Sequence, residues 1–267
     1  MNPIISTIVG ISLIFLCTTL GSAFVFFLRK EISEKWNKII IGFAGGIMLS
    51  ASCFSLIAPV LEEKSRPIPG YFIAAVGIML GVLFLYLIDK FLPHLHVRGN
   101  EEEGIKTERV KKTTKMFLAV TIHNIPEGLS VGIAYGVALA NLRNDSAIGM
   151  TSLASALSLA IGIGLQNIPE GLAVALPFKS ETKKTTKAFL YGMGSGAVEP
   201  IAAVIGFFLA MEVEAIMPWA LSFAGGAMLY VILEEMVPEA KGDSINHSGI
   251  FAFLFGFILM MVMDAAL

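Results

Sequence analysis

Apolar residues run along this chain in eight long stretches parted by short polar segments, at roughly 3–28, 38–61, 69–92, 116–139, 148–176, 188–210, 217–239 and 248–267. Each is long enough to cross a bilayer as a helix. The expected fold is therefore all-α and polytopic, with eight transmembrane helices. The first stretch is not expected to be a signal peptide. It lacks a basic start, runs too long for an h-region and is followed by Arg29-Lys30.

Composition agrees with that pattern. Hydrophobic residues make up 55% of the chain and the mean hydropathy is +0.77, so the expected solvent is mainly lipid. Cys17 and Cys53 both fall inside spans and read as apolar fillers, not as a disulfide scaffold.

Charge fixes the orientation. Sixteen basic residues (Arg29, Lys30, Lys35, Lys38, Lys90, Arg98, Lys106, Arg109, Lys111, Lys112, Lys115, Lys179, Lys183, Lys184, Lys187 and Lys241) fall on one side, and three (Lys64, Arg66 and Arg143) on the other. The richer side is cytoplasmic by the positive-inside rule, which leaves both termini outside. The longest connection, about 93–115, is cytoplasmic, charged and expected to be flexible. The other connections are too short for a second folded domain, so residues 1–267 form one transmembrane domain.

An inverted repeat is also visible. Phe43-Ala44-Gly45-Gly46-Ile47-Met48-Leu49 in span 2 recurs as Phe223-Ala224-Gly225-Gly226-Ala227-Met228-Leu229 in span 7, followed at similar distance by Pro59 and Pro238. The two spans run in opposite directions. The bland reading is that glycine and alanine are common at helix-packing surfaces. The repeat reading gives a 3+2+3 plan: repeat 1 about 1–92, central helices about 116–176 and repeat 2 about 188–267. Inverted repeats are common in secondary transporters, with the site near the midplane where the repeats meet.

The two central helices carry the unusual chemistry. His123-Asn124-Ile125-Pro126-Glu127-Gly128 in span 4 is nearly repeated by Gln166-Asn167-Ile168-Pro169-Glu170-Gly171 in span 5. An acidic residue at mid-bilayer costs about 2.5–3.5 kcal/mol. A proline inside a helix costs about 3 kcal/mol more and frees the carbonyl four residues back, here those of Ile122 and Leu165. His123 and Glu127 share one helix face, as do Gln166 and Glu170. Asn124 and Asn167 stand beside them, and span 6 adds Glu199 next to Pro200.

Imidazole and carboxylate oxygens suit zinc and other first-row divalent cations. Three glutamates bring a formal charge of −3, which one divalent cation leaves unbalanced and two slightly exceed, so a two-metal site with a bridging glutamate fits. Taken singly, each group has a plainer reading: a hydrogen-bonded helix contact, interhelical glue, or a protonated relay group. The duplicated spacing favours metal ligands. A face of span 5 bearing Ser152, Ser155, Leu159, Ile163 and Gln166 reads equally as a route to Gln166 or as close packing. Met48 and Met228 sit at matching repeat positions, where methionine is more often core filler, although a thioether is also a soft ligand.

On these residues the chain resembles the ZIP (Zrt/Irt-like) metal transporters, and among them the GufA-type bacterial branch. The resemblance covers essentially the whole chain: eight spans, the 3+2+3 plan, the two central motifs, and Gly196-Ala197-Val198-Glu199-Pro200. It implies a homodimer in a bacterial inner membrane that moves zinc toward the cytosol, with Cd2+, Fe2+ or Mn2+ as alternative substrates. It implies a first metal site of Met48, His123, Glu127 and Glu170, and a second of Asn124, Gln166, Asn167, Glu199 and the two bridging glutamates. Asp89, His94, His96, Glu234 and Glu235 match the family's inner exit, and Glu62 and Asp264 its outer entrance. It further implies an elevator-like slide of spans 1, 4, 5 and 6 against 2, 3, 7 and 8.

Two departures stand out. Asn167 replaces the aspartate of some relatives, and the cytoplasmic loop carries only His94 and His96, not a histidine-rich run. No nucleic-acid partner and no enzymatic activity are expected. The alternative is an intramembrane metal-dependent hydrolase, against which stands the absence of an HExxH motif.

Overall fold

A computed structural model describes residues 2–28, 32–62, 67–91, 94–95, 102–103, 112–144, 146–212, 214–242 and 246–266. Among the described residues, eight helices are long and apolar enough to cross a membrane. They are span 1 (Pro3–Phe26), span 2 (Glu34–Glu62), span 3 (Gly70–Lys90), span 4 (Met116–Arg143), span 5 (Gly149–Thr182), span 6 (Thr185–Met211), span 7 (Met217–Lys241) and span 8 (Ser248–Ala266). The all-α polytopic fold read from the sequence is thus observed. Spans 2, 4, 5 and 6 extend a few residues beyond the apolar stretches, because a helix continues into polar residues once past the hydrocarbon. The segment expected to be a flexible loop contributes one antiparallel pairing, His94–Leu95 with Glu102–Glu103.

Packing follows a paired scheme. Span 2 lies against span 8 and span 3 against span 7, while span 1 lies against span 5 and span 4 against span 6; spans 4 and 5 also pack together. Glycines set these contacts by letting backbones approach, as in other membrane bundles. A Cβ on Gly46 would strike the Phe253 carbonyl, and one on Gly226 the Ile78 carbonyl. Gly256 faces the Phe43 carbonyl in the same way, and Gly81 that of Phe223. At the centre, Gly171 abuts the Thr18 carbonyl and Gly128 that of Glu199. Each contact has a counterpart when spans 1, 2, 3 and 4 are exchanged for 6, 7, 8 and 5.

The repeated glycine-proline segments share a distortion. Span 2 widens into a π-helical turn over Ala51–Ile57, and span 7 over Ile232–Met236. Pro59 and Pro238 lack the N–H that would bond the carbonyls of Ser55 and Glu234. Both carbonyls fall inside the widened turns. Such turns are frequent at functional sites.

Span 6 is interrupted. Its helix stops at Ser195, turns at Gly196-Ala197 and restarts at Val198, which puts Glu199 in a first helical turn. A carboxylate there is favoured by the exposed N–H groups and the helix dipole. The main core lies where spans 2, 4, 5 and 7 meet, around Ile47, Val131, Leu159, Ile163, Ala224 and Met228. Spans 3 and 8 leave large apolar side chains on the outside, among them Tyr71, Met79, Phe251 and Phe255. That is the expected dress of helices facing lipid tails.

Candidate metal site

The two central motifs face each other at the core of the bundle. His123, Asn124 and Glu127 on span 4 are buried, as are Gln166 and Asn167 on span 5 and Glu199 on span 6; Glu170 is partly buried. Gln166 donates from Nε2 to Glu127 Oε1 at 2.6 Å. Asn124 Nδ2 donates to the Ser195 carbonyl at 3.0 Å and to Glu199 Oε1 at 3.1 Å. Across the same centre, Asn167 Nδ2 reaches the Ile14 carbonyl at 3.5 Å. Asn167 also interacts with the Glu199 carboxylate. Thr18, a residue that no sequence signal had marked, donates from Oγ1 to Glu199 Oε1 at 2.7 Å.

These bonds consume the donors and leave acceptors. Asn124 Oδ1, Glu127 Oε2, Gln166 Oε1, Asn167 Oδ1 and Glu199 Oε2 are buried and accept no hydrogen bond. Buried polar atoms are nearly always satisfied, and leaving one unpaired costs about 1–3 kcal/mol. Five acceptor oxygens unpaired at one place, with carboxylates among them, match what a cation needs and a neutral core does not. Among the described residues, no three His, Cys, Asp or Glu side chains are gathered to metal-ligand spacing. The arrangement is a loose cage of mixed carboxylate and amide oxygens.

A cavity opens beside this cage, lined by Met48, His123, Glu170, Glu235 and Glu239 together with apolar residues of spans 2, 4, 5 and 7. His123 Nδ1 lies 3.3 Å from Glu235 Oε2. Glu239 accepts from Asn37 Nδ2 at 2.8 Å on the rim. Met48 lines the cavity, whereas its repeat counterpart Met228 does not; both are buried in the core cluster.

Of the residues matched to the inner exit, Asp89 is buried and Glu235 faces the cavity, while Glu234 is exposed and turns away. His94 is described only through its backbone pairing, and His96 lies outside the described residues.

A second cavity lies at the other end of the bundle, lined by Ser55, Pro59, Ser152, Ser155, Leu159 and Leu221 among others. Three members of the span 5 stripe therefore face open space, while Ile163 is packed in the core and Gln166 joins Glu127. Of the residues matched to the outer entrance, Asp264 accepts from Ser55 Oγ at 2.7 Å, and Glu62 is exposed.

Comparison with known proteins identifies the family. The family model described as ZIP Zinc transporter matches residues 4–116 and 114–264. The chain belongs to the ZIP family. It is 34% identical to the zinc transporter GufA of Myxococcus xanthus, over 89% of this chain and 90% of that protein. It is 34% identical to the zinc transporter ZIPB of Bordetella bronchiseptica, over 95% of this chain and 78% of that one. It is also 32% identical to the human zinc transporter ZIP11, with 94% of each chain covered. This ZIP chain thus sits in a family of transporters, not of enzymes, and the hydrolase alternative is left without support. Thr18 and Ser195 are the site residues that sequence reading missed. A lone Thr or Ser in an apolar span carries no signal until the contacts across the bundle are known.

Proposed function

We propose that this chain carries divalent transition-metal ions, zinc foremost, across a lipid bilayer toward the cytosol. The observation that carries the reading is the set of five unpaired acceptor oxygens on Asn124, Glu127, Gln166, Asn167 and Glu199, beside a cavity that holds His123, Met48 and Glu170. Zinc is also the substrate named for the relatives. Cd2+, Fe2+ and Mn2+ are secondary candidates, since nitrogen and oxygen ligands accept all of them and selection rests on geometry and supply.

The two cavities support a path for the ion. It enters past Asp264, Ser55, Ser152 and Ser155, with Glu62 at the exposed rim. It is then stripped of water by Met48, His123, Glu127, Glu170, Gln166, Asn124, Asn167 and Glu199. Its exit runs along His123, Glu235, Asp89 and Glu239 toward the lysine-rich side. Leu159 lines the floor of the outer cavity and Ile163, fully buried, stands between it and Gln166 along span 5, which supports a site closed on that side.

The mirrored glycine contacts and the paired π-helical turns support the 3+2+3 inverted repeat. Both termini outside the cytoplasm, a bacterial inner membrane, a homodimer and a sliding of spans 1, 4, 5 and 6 complete the proposal. They rest on charge distribution and family resemblance.

Zinc influx into proteoliposomes loaded with a fluorescent indicator tests it, comparing wild type with the Glu127→Ala, Glu170→Ala double variant. Influx in wild type and none in a well-inserted variant is the expected outcome. Equal influx in both removes the ligand assignment, and no influx of any divalent metal in wild type removes the function.

A further inference from the structure

Glu199 is the one carboxylate of the cage without a counterpart carboxylate. Asn124 reaching the Ser195 carbonyl is mirrored by Asn167 reaching that of Ile14. Gly128 against the Glu199 carbonyl is mirrored by Gly171 against that of Thr18. The exchange that relates these contacts pairs residue 14 with 195 and residue 18 with 199. Thr18 therefore occupies the place where a fourth carboxylate would complete the pairing.

Its hydroxyl does something specific there. Thr18 is fully buried, and its single Oγ1 proton has two acceptors in reach: the Ile14 carbonyl at 3.2 Å and Glu199 Oε1 at 2.7 Å. The shorter, charge-assisted bond to the carboxylate is the stronger. Asn124 donates to the same oxygen, so Oε1 has two donors within hydrogen-bond distance and Oε2 none, with the Asn167 amide standing near the same carboxylate. The hydroxyl cannot easily turn elsewhere. Gly196 is so close that a Cβ on it would meet Thr18 Cβ at 2.8 Å and Glu199 Oε1 at 3.0 Å.

We propose that Thr18 is a positioning residue that makes Glu199 a one-oxygen ligand, holding Oε1 away from the cation and presenting Oε2, and that it thereby favours zinc over larger divalent cations. The inference rests on the metal-carrier function proposed above. Zinc is satisfied by few ligands in a near-tetrahedral set, whereas larger cations readily take both oxygens of a carboxylate. A carboxylate pinned at one oxygen suits the first and penalises the second. Partners of this kind typically tune metal affinity by about 10–100-fold.

The test uses the full-length purified chain, as wild type, Thr18→Val and Thr18→Ser. Zinc and Cd2+ influx are measured in proteoliposomes, resolving KM from maximal rate, with zinc Kd measured by calorimetry. Thr18→Val is expected to raise the zinc KM and Kd by about tenfold while leaving those for Cd2+ equal or lower, so that the Cd2+ to zinc preference rises. Thr18→Ser, which keeps the hydroxyl, is expected to restore wild-type preference. Thr18→Ala gives the same readout should the valine variant not be recovered folded.

An unchanged preference in Thr18→Val overturns the proposal. So does a fall in maximal rate for both metals that serine does not rescue, which would mark Thr18 as packing alone. A wild type that neither binds nor carries zinc overturns this inference together with the function beneath it, whereas wild-type zinc influx that vanishes in the Glu127→Ala, Glu170→Ala variant keeps that function standing whatever Thr18 does.

Discussion

Gln166 donates from Nε2 to Glu127 Oε1, 39 positions earlier in the chain, at 2.6 Å, joining the two central motifs through one hydrogen bond. The bond orients a fully buried carboxylate, leaving its other oxygen unpaired. At the equivalent place in the other motif stands His123, whose contact is with Glu235 of span 7. The two motifs are copies in sequence and different in partner. One faces inward to its mate, the other outward to the cavity.

Removing the donor at Gln166 should loosen the site without emptying it. Gln166→Leu leaves Glu127 with neither oxygen bonded and is expected to weaken zinc binding about 10–100-fold, read by calorimetry on detergent-solubilised protein. Gln166→Glu adds a fourth carboxylate, balancing two divalent cations, and is expected to tighten binding while slowing release. Zinc Kd indistinguishable from wild type in both variants would show that the amide has no part in the site.

Glu235 and His123 connect span 7 to span 4 at the wall of the inner cavity. On the proposed exit path this pair comes first. Glu235→Gln keeps the shape and removes the charge, so maximal zinc influx is expected to fall severalfold while equilibrium zinc affinity changes little. Glu234→Gln, at an exposed neighbour, is expected to have the smaller effect. Stopped-flow influx separates the two, and equal losses from both would argue against a route along Glu235.

Much of this was readable from the chain. Eight apolar stretches give eight spans because length and hydropathy alone decide membrane crossing. The motifs of spans 4 and 5 stand out because glutamate and proline are costly there. Other features were not readable, for identifiable reasons. Glu234 and Glu235 are adjacent and alike in sequence, and only the widened turn at Ile232–Met236 decides which faces the cavity. Met48 and Met228 are equivalent by repeat, yet only Met48 reaches the cavity wall. Thr18 acts through a partner 181 residues away, a distance at which no local pattern survives. Lys179 counts in the sequence only as a marker of the cytoplasmic side, and its bonds come from the way span 1 ends beside it.

The glycine contacts make a separate prediction about stability. A side chain at Gly46 or Gly226 would press on the Phe253 or Ile78 carbonyl, which is backbone and cannot swing aside. Gly46→Val and Gly226→Val are each expected to destabilise the bundle by about 1–3 kcal/mol, the usual cost of overpacking. A thermal-unfolding series in detergent checks this, with Gly194→Ala as the contrast, since its nearest neighbour is the Phe117 ring at 3.8 Å. Matched losses at Gly46 and Gly226, with little change at Gly194, are expected if the two contacts are equivalent.

Lys179 links the end of span 5 to the end of span 1. Its Nζ donates to the carbonyls of Val25 and Leu28, each at 2.7 Å. Val25 lies in the last turn of span 1 and Leu28 just past it; carbonyls in the last turn have no partner within the helix, and a cation there also complements the helix dipole. Lys179 is half-buried, so water replaces it only in part. A hydrogen bond involving a charged group contributes about 1.5–3 kcal/mol. Lys179→Met keeps the aliphatic stem and removes both bonds, so its melting temperature is expected to fall, with zinc Kd unchanged because the ammonium is remote from the cage. Lys179→Arg, able to donate to both carbonyls, is expected to recover most of the loss. A methionine variant as stable as wild type would mean that water serves those carbonyls as well as the lysine does, and that spans 1 and 5 are held together by Gly21, Gly171 and their backbone contacts alone.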